Sequence, residues 1–94
     1  MVNHVVITYC TGCKWLLRSA WMAQELLTTF ESEIDELSLR PGSGGIFDVH
    51  INDRLIWSRA EAGRFPDIKD LKQKVRDEIS PDRSLGHTDR AGKD

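Results

Sequence analysis

Apolar positions recur along this chain with two periods, and the changes of period mark its elements. The run His4-Val5-Val6-Ile7-Thr8-Tyr9 reads as a first strand. Over residues 12–30 the residues Leu16, Ala20, Ala23, Leu27 and Phe30 recur three or four apart, which predicts an amphipathic helix whose stripe needs a sheet to cover. Met22 and Leu26 widen that stripe. Apolar and polar residues then alternate over residues 36–40, 46–51 and 54–58, predicting three more short strands. A second helix is announced by Pro66 as its first helical position, carries Ile68, Leu71, Val75 and Ile79 on one side, and ends near Ser80-Pro81.

Alternation of this kind suits a sheet covered on one face, because a sheet between two helix layers carries near-continuous apolar runs. The expected fold class is therefore α/β in the form of an α+β two-layer sandwich, ordered strand-helix-strand-strand-strand-helix. Its four-stranded mixed sheet carries both helices on one face. A right-handed crossover makes the first two strands parallel. Ile51-Asn52-Asp53-Arg54 reads as a tight hairpin, since Asn and Asp accept the positive backbone angles of two-residue turns. If the hairpin pairs with the free side of strand one, residues 41–45 must cross the end of that strand. Two strand spacings are roughly 10 Å, and five residues reach about 16 Å at most, so the crossing is close to direct. It sets Pro41-Gly42-Ser43-Gly44-Gly45 beside the cysteines at the end of strand one, with Gly44 and Gly45 as candidate substrate or partner contacts, and residues 59–66 arrive at the same end.

Pairing Ile51 with Arg54 places Val49 and Ile56 on the covered side and Leu55 and Trp57 on the open side. An open Leu-Trp pair beside Val6 is then a candidate partner surface or weak homodimer contact, and a one-residue bulge would invert this assignment. One domain is expected over residues 1–80. Residues 81–94 hold almost nothing apolar and are expected to be a disordered, functionally quiet tail.

The chain has 94 residues, 15 acidic and 13 basic, for a net charge of −2. That balance gives no reason to expect nucleic acid as a partner. Val5-Val6-Ile7 is far too short for a signal-peptide core or a membrane span, so a cytoplasmic chain without a membrane partner is expected.

Composition leaves the chemistry to Cys10-Thr11-Gly12-Cys13, a CxxC between a strand and a helix, with its two thiols expected on one helical turn. In a reducing compartment a close pair of cysteines is catalytic, redox-sensing or metal-binding rather than a staple. A bridge across so short a loop restricts little unfolded-chain entropy. One thiolate would attack a disulfide, sulfenic acid or peroxide, and the other would resolve the mixed species. Small Thr11 and Gly12 leave the rim open to a bulky partner sulfur. Lying at the helix start, Cys10 is the thiol that helix geometry favours as thiolate.

Zinc is the rival reading, because CxxC is half of a structural site. The remaining soft-to-borderline ligands are His4, His50 and His87, and a strand puts His4 roughly 20 Å from Cys10. His50 lies at the same far end, so a metal site would need two chains sharing cysteines. The same distance removes His4 and His50 as general bases. Cationic help must come from Lys14, Arg59 or Arg64. Phe65 stands at the cysteine edge or in the core. Trp15 and Trp21 point in different helix directions, so only one can bury fully and the other is free to meet a partner.

Together these segments resemble the thioredoxin-like selenoprotein W, T and H (Rdx) family, in its bacterial form with cysteine in place of selenocysteine. The resemblance spans residues 5–79. It is carried by Tyr9-Cys10-Thr11-Gly12-Cys13, Gly44-Gly45-Ile46-Phe47-Asp48-Val49, Leu55-Ile56-Trp57-Ser58 and Gly63-Arg64-Phe65-Pro66. It implies a thioredoxin-like fold and a thiol-disulfide oxidoreductase role in cell redox homeostasis, with no bound cofactor. Protein thiols or disulfides and glutathione are the partners and reductants implied, and Lys14, Arg59 or Arg64 would receive a glutathione carboxylate. Selenocysteine in such relatives occupies the position of Cys13, which makes that sulfur the attacker, against the helix argument for Cys10. Thioredoxins place a proline just before the strand facing their CxxC. This chain has Gly44-Gly45-Ile46 there. A non-catalytic redox-sensing binding module remains the alternative to an enzyme.

Overall fold

The computed structural model describes residues 2–86. Strand β1 (His4–Cys10) lies between β2 (Glu36–Gly42), parallel to it, and β3 (Phe47–Ile51), antiparallel, and β4 (Arg54–Ser58) closes the sheet against β3 in the order β2-β1-β3-β4. The crossing of residues 43–46 over the end of β1 follows from that order. Helices α1 (Leu16–Thr29), α2 (Arg59–Ala62) and α3 (Ile68–Ile79) complete the described chain.

One core joins the layers. Val5, Ile7, Phe47, Val49 and Ile51 from the sheet meet Met22, Ala23, Leu26 and Phe30 from the α1 region and Leu71 and Val75 from α3. Both long helices therefore cover the same sheet face. Each fully buried side chain of this size contributes about 1.5–3 kcal/mol. Glu25 of α1 and Lys72 of α3 tie the helices together with an ion pair of 2.7 Å.

Asn52 and Asp53 have φ of 50° and 69°, the left-handed pair of a two-residue hairpin turn, so this part of the sequence reading stands. Five expectations need correction. The first helix begins at Leu16, not residue 12, because Lys14 takes a φ of 64° and breaks any helical path through the CxxC. Of the expected stripe Ala23 and Phe30, with Met22 and Leu26, are buried and Ser19 joins them, whereas Leu16 and Leu27 are exposed at 46% and 40%. Pro66 precedes α3 instead of opening it. Asp67 is the cap, its carboxylate accepting from the Lys69 N–H at 3.2 Å. The segment after β4 is not all loop: Ser58 caps the short α2, and Gly63 ends it in the left-handed region.

The fifth correction is the largest. A bulge makes Ile56 the extra residue of β4, so that Val49 opposes Trp57 while His50 opposes Leu55. Trp57 is turned into the core at 7% exposure, its Nε1–H donating to the Arg64 carbonyl at 3.2 Å, and the Leu55-Trp57 surface proposed for self-association does not form.

Part of the expected tail is ordered. Arg83 binds both Glu33 carboxylate oxygens at 2.9 and 3.0 Å, its carbonyl accepts from Arg76 Nη1 at 2.8 Å, and Leu85 packs on the core. The packed unit thus passes residue 80. The rest of the expected tail, residues 87–94 with His87, lies outside the described residues.

Candidate functional site

The two cysteines sit where β1 ends. Cys10 is the last residue of β1, opposite Gly42 at the end of β2. Past it the chain turns on itself before α1 begins. The Thr11 N–H and its Oγ1–H both donate to the Gly42 carbonyl, at 3.0 and 3.1 Å. The Lys14 N–H donates to the Thr11 carbonyl at 3.0 Å and the Trp15 N–H to the Cys10 carbonyl at 3.4 Å. The CxxC is therefore a hydrogen-bonded turn ahead of the helix, not a helical turn. The cysteines are joined as a disulfide with Cα atoms 5.3 Å apart, and the Cys13 N–H donates to Cys10 Sγ at 3.2 Å. Their exposures differ. Cys10 is 3% exposed, while Cys13 is partly open to solvent.

Geometry removes the helix argument for Cys10, because the field of a helix terminus fades within its first turn and α1 starts six residues later. Cys13 is the nearer to that end and the one an incoming molecule can reach. The first turn of α1 has no acidic residue, and its capping residue, Trp15, supplies no side-chain hydrogen bond.

Gly42, in the crossing segment that the sequence sets beside the cysteines, is the last residue of β2 and does lie there. A Cβ on it would stand 2.8 Å from Ile46 Cγ2, closer than real contacts allow, and a tight 3.2 Å from Thr8 Cγ2. Bare backbone lets β2 approach β1 and present its carbonyl to Thr11. Glycine to alanine in a strand ordinarily gains about 0.5–1 kcal/mol; here overpacking of about 1–3 kcal/mol opposes it. Gly42→Ala should therefore lower the urea midpoint, while Gly12→Ala, with no atom within 4 Å of its Cβ, should not. An unchanged midpoint for Gly42→Ala would remove the close approach. Gly44 and Gly45, with φ of 72° and 79° and no atom within 4 Å of a Cβ at either, shape the crossing turn.

Beside the turn, Trp15 and Phe65 meet edge to face with centroids 4.8 Å apart, and Phe65 meets Phe47 at 5.1 Å. Two guanidiniums cover this cluster. Arg18 lies 4.2 Å over Phe65, and Arg59 lies 4.9 Å over Trp15, its buried Nε without a hydrogen-bond partner among the described residues. Arg18 was not foreseen, although it stands one turn after Trp15. Arg64 turns elsewhere: it donates to the Phe65 carbonyl at 3.1 Å, lies over Trp57 and approaches Asp70 at 3.9 Å. Trp15 caps α1 and is half-buried, and Trp21 is exposed, so neither is fully buried.

His4 and His50 lie far from the sulfurs. His4 bonds Ser38 at 3.0 Å at the other end of β1, and His50 pairs with Val6. Among the described residues no three His, Cys, Asp or Glu side chains converge as a metal site, and no helix is long and apolar enough to cross a membrane.

Comparison with known proteins follows this geometry. The model of the Rdx family matches residues 4–77. The mouse and bovine proteins named Migration and invasion enhancer 1 are 33% identical over 75 residues and 31% over 73, each match covering 78% of this chain. The matched region spans 62% of the length of either relative. Among solved structures, a Bordetella parapertussis protein is 51% identical with a TM-score of 0.82, over 84% of this chain and all of that one. A selenoprotein W-related protein from Vibrio cholerae is 48% identical with a TM-score of 0.82, over 85% of this chain and all of that one.

Proposed function

The chain belongs to the Rdx family, with a thioredoxin-like fold of the selenoprotein W-related kind, and from that premise we propose that it is a small thiol-disulfide oxidoreductase in which Cys13 attacks and Cys10 resolves. The observation that carries this reading is the unequal exposure of two sulfurs within bonding distance, one reachable from solvent and the other 3% exposed behind it. In the reduced protein the Cys13 thiolate attacks one sulfur of a substrate disulfide. A Cys13 mixed disulfide forms, and the other substrate sulfur leaves and takes up a proton. The Cys10 thiol then gives its proton to solvent and attacks Cys13 Sγ, expelling the second substrate thiolate. The substrate gains two electrons and two protons, and the Cys10–Cys13 bond remains.

A thiol reductant, glutathione or a protein dithiol, must reopen that bond, which suits a cytoplasmic setting. Protein disulfides are the substrates proposed, with Trp15 and Phe65 as the apolar wall of the site, Arg59 over that wall and Lys14 next to Cys13. No step uses a metal or bound cofactor. With glutathione in excess, catalytic amounts of the protein should reduce many equivalents of a small disulfide, followed by the absorbance of the released thiol. A single equivalent consumed, with no recycling, would replace the enzyme by a redox-sensing binding module.

A further inference from the structure

The helix that follows the CxxC carries two apolar stripes, and only one of them is buried. Ser19, Met22, Ala23 and Leu26 face the sheet. Leu17 and Trp21, one turn apart and therefore on a common stripe, are exposed at 82% and 47%, with Leu16 beside them at 46%. Single exposed leucines are ordinary. Here three large side chains cluster, and two hollows meet at Leu17. One, of about 320 Å³, is lined by Tyr9, Thr11, Lys14, Leu16 and Leu17. The other, of about 570 Å³, runs from Leu17 past Arg18 and Trp21 to Ile68. Concave apolar surface of this size is what a bound side chain or short segment occupies.

Resting on the oxidoreductase reading above, we infer that this groove docks the protein substrate of the dithiol, and that it selects an extended segment with an apolar residue and a carboxylate next to its cysteine. The near hollow is lined by Thr11 and Lys14, the residues on either side of Gly12 and Cys13, so whatever lies in it brings its own sulfur to Cys13.

Charge decides the second half. Acidic residues outnumber basic ones in this chain, and elsewhere Arg54, Arg64, Lys72 and Arg83 each reach a carboxylate. Lining the groove, Lys14 and Arg18 have no ion pair among the described residues, and no acidic side chain lines the near hollow. Asp67 in the far hollow is engaged as the cap of α3. A second copy of this chain is the wrong occupant, because a two-fold contact would set these cations against their own images. An acidic partner segment neutralises them.

The test uses the reduced protein with four octapeptides, each carrying one cysteine linked to 2-thiopyridine. The neighbouring residues are leucine or serine on one side and aspartate or lysine on the other. The leucine-aspartate peptide should react about tenfold faster than the leucine-lysine peptide at low ionic strength, with the gap nearly closed at 0.5 M salt. Leu17→Ser should lower the ratio of that peptide's rate to the rate with plain 2,2′-dithiodipyridine about fivefold. Leu55→Ser, on the open sheet face, should leave this ratio unchanged. Equal rates for all four peptides with a reactive dithiol, or a ratio indifferent to Leu17→Ser, would overturn the groove alone. So would a micromolar dimer by analytical ultracentrifugation that Leu17→Ser dissolves. A protein no more reactive than free glutathione toward 2,2′-dithiodipyridine would end both the groove and the oxidoreductase reading.

Discussion

Cys10→Ser should hold the protein on its substrate as a stable mixed disulfide through Cys13, and Cys13→Ser should form no such adduct. Either change should lower turnover at least about a hundredfold, since each removes one of two obligatory sulfur attacks. The asymmetry follows from burial. Cys10, 3% exposed at the end of β1, offers a substrate no approach, whereas Cys13 is partly open on the turn. Both variants should fold. Serine at position 10 keeps an oxygen where Sγ accepts the Cys13 N–H at 3.2 Å, and serine at 13 is partly solvated. Intact-mass spectrometry after mixing with a disulfide substrate reads the outcome directly. An adduct trapped by Cys13→Ser instead would reverse the roles, and full turnover in both single variants would end the oxidoreductase reading.

Trp57→Ala should destabilise the fold by about 3 kcal/mol, the range for removing a large aromatic from a core. For a domain of this size that is a fall in Tm of about 15 °C. Trp57 is 7% exposed, belongs to the core cluster, and satisfies its indole N–H on the Arg64 carbonyl. Its neighbour in β4, Leu55, is 41% exposed, so Leu55→Ala should stay within about 0.5 kcal/mol. The pair tests the bulge. An unbulged hairpin would leave Trp57 on the open face, and its loss would then be felt no more than that of Leu55. Urea melts of the two variants, compared at equal m-values, separate these registers.

The site was only partly legible along the chain. Cys10 and Cys13 announce themselves by spacing, and the arrival of residues 59–66 at the same end followed from strand order, which is why Phe65 meets Trp15. The crossing put Gly42 near the cysteines, but the carbonyl it gives Thr11 and the room it leaves beside Ile46 are recorded by no local pattern. Arg64 looked as suitable a cation as Arg59 by its place in the chain. The packing of Trp57 draws it away.

What the sequence by itself determined is the kind and order of the main elements, the Asn52-Asp53 turn and the dithiol, because each is written in side-chain periods, turn propensities or spacings a few residues long. Tertiary structure alone decided where α1 starts, which of its two apolar stripes faces the sheet, and which side of β4 carries Trp57. A left-handed residue at Lys14 and one extra residue at Ile56 each rotate everything that follows them relative to the core. Such rotations are chosen by the summed packing of distant partners, since locally both faces are apolar enough to bury.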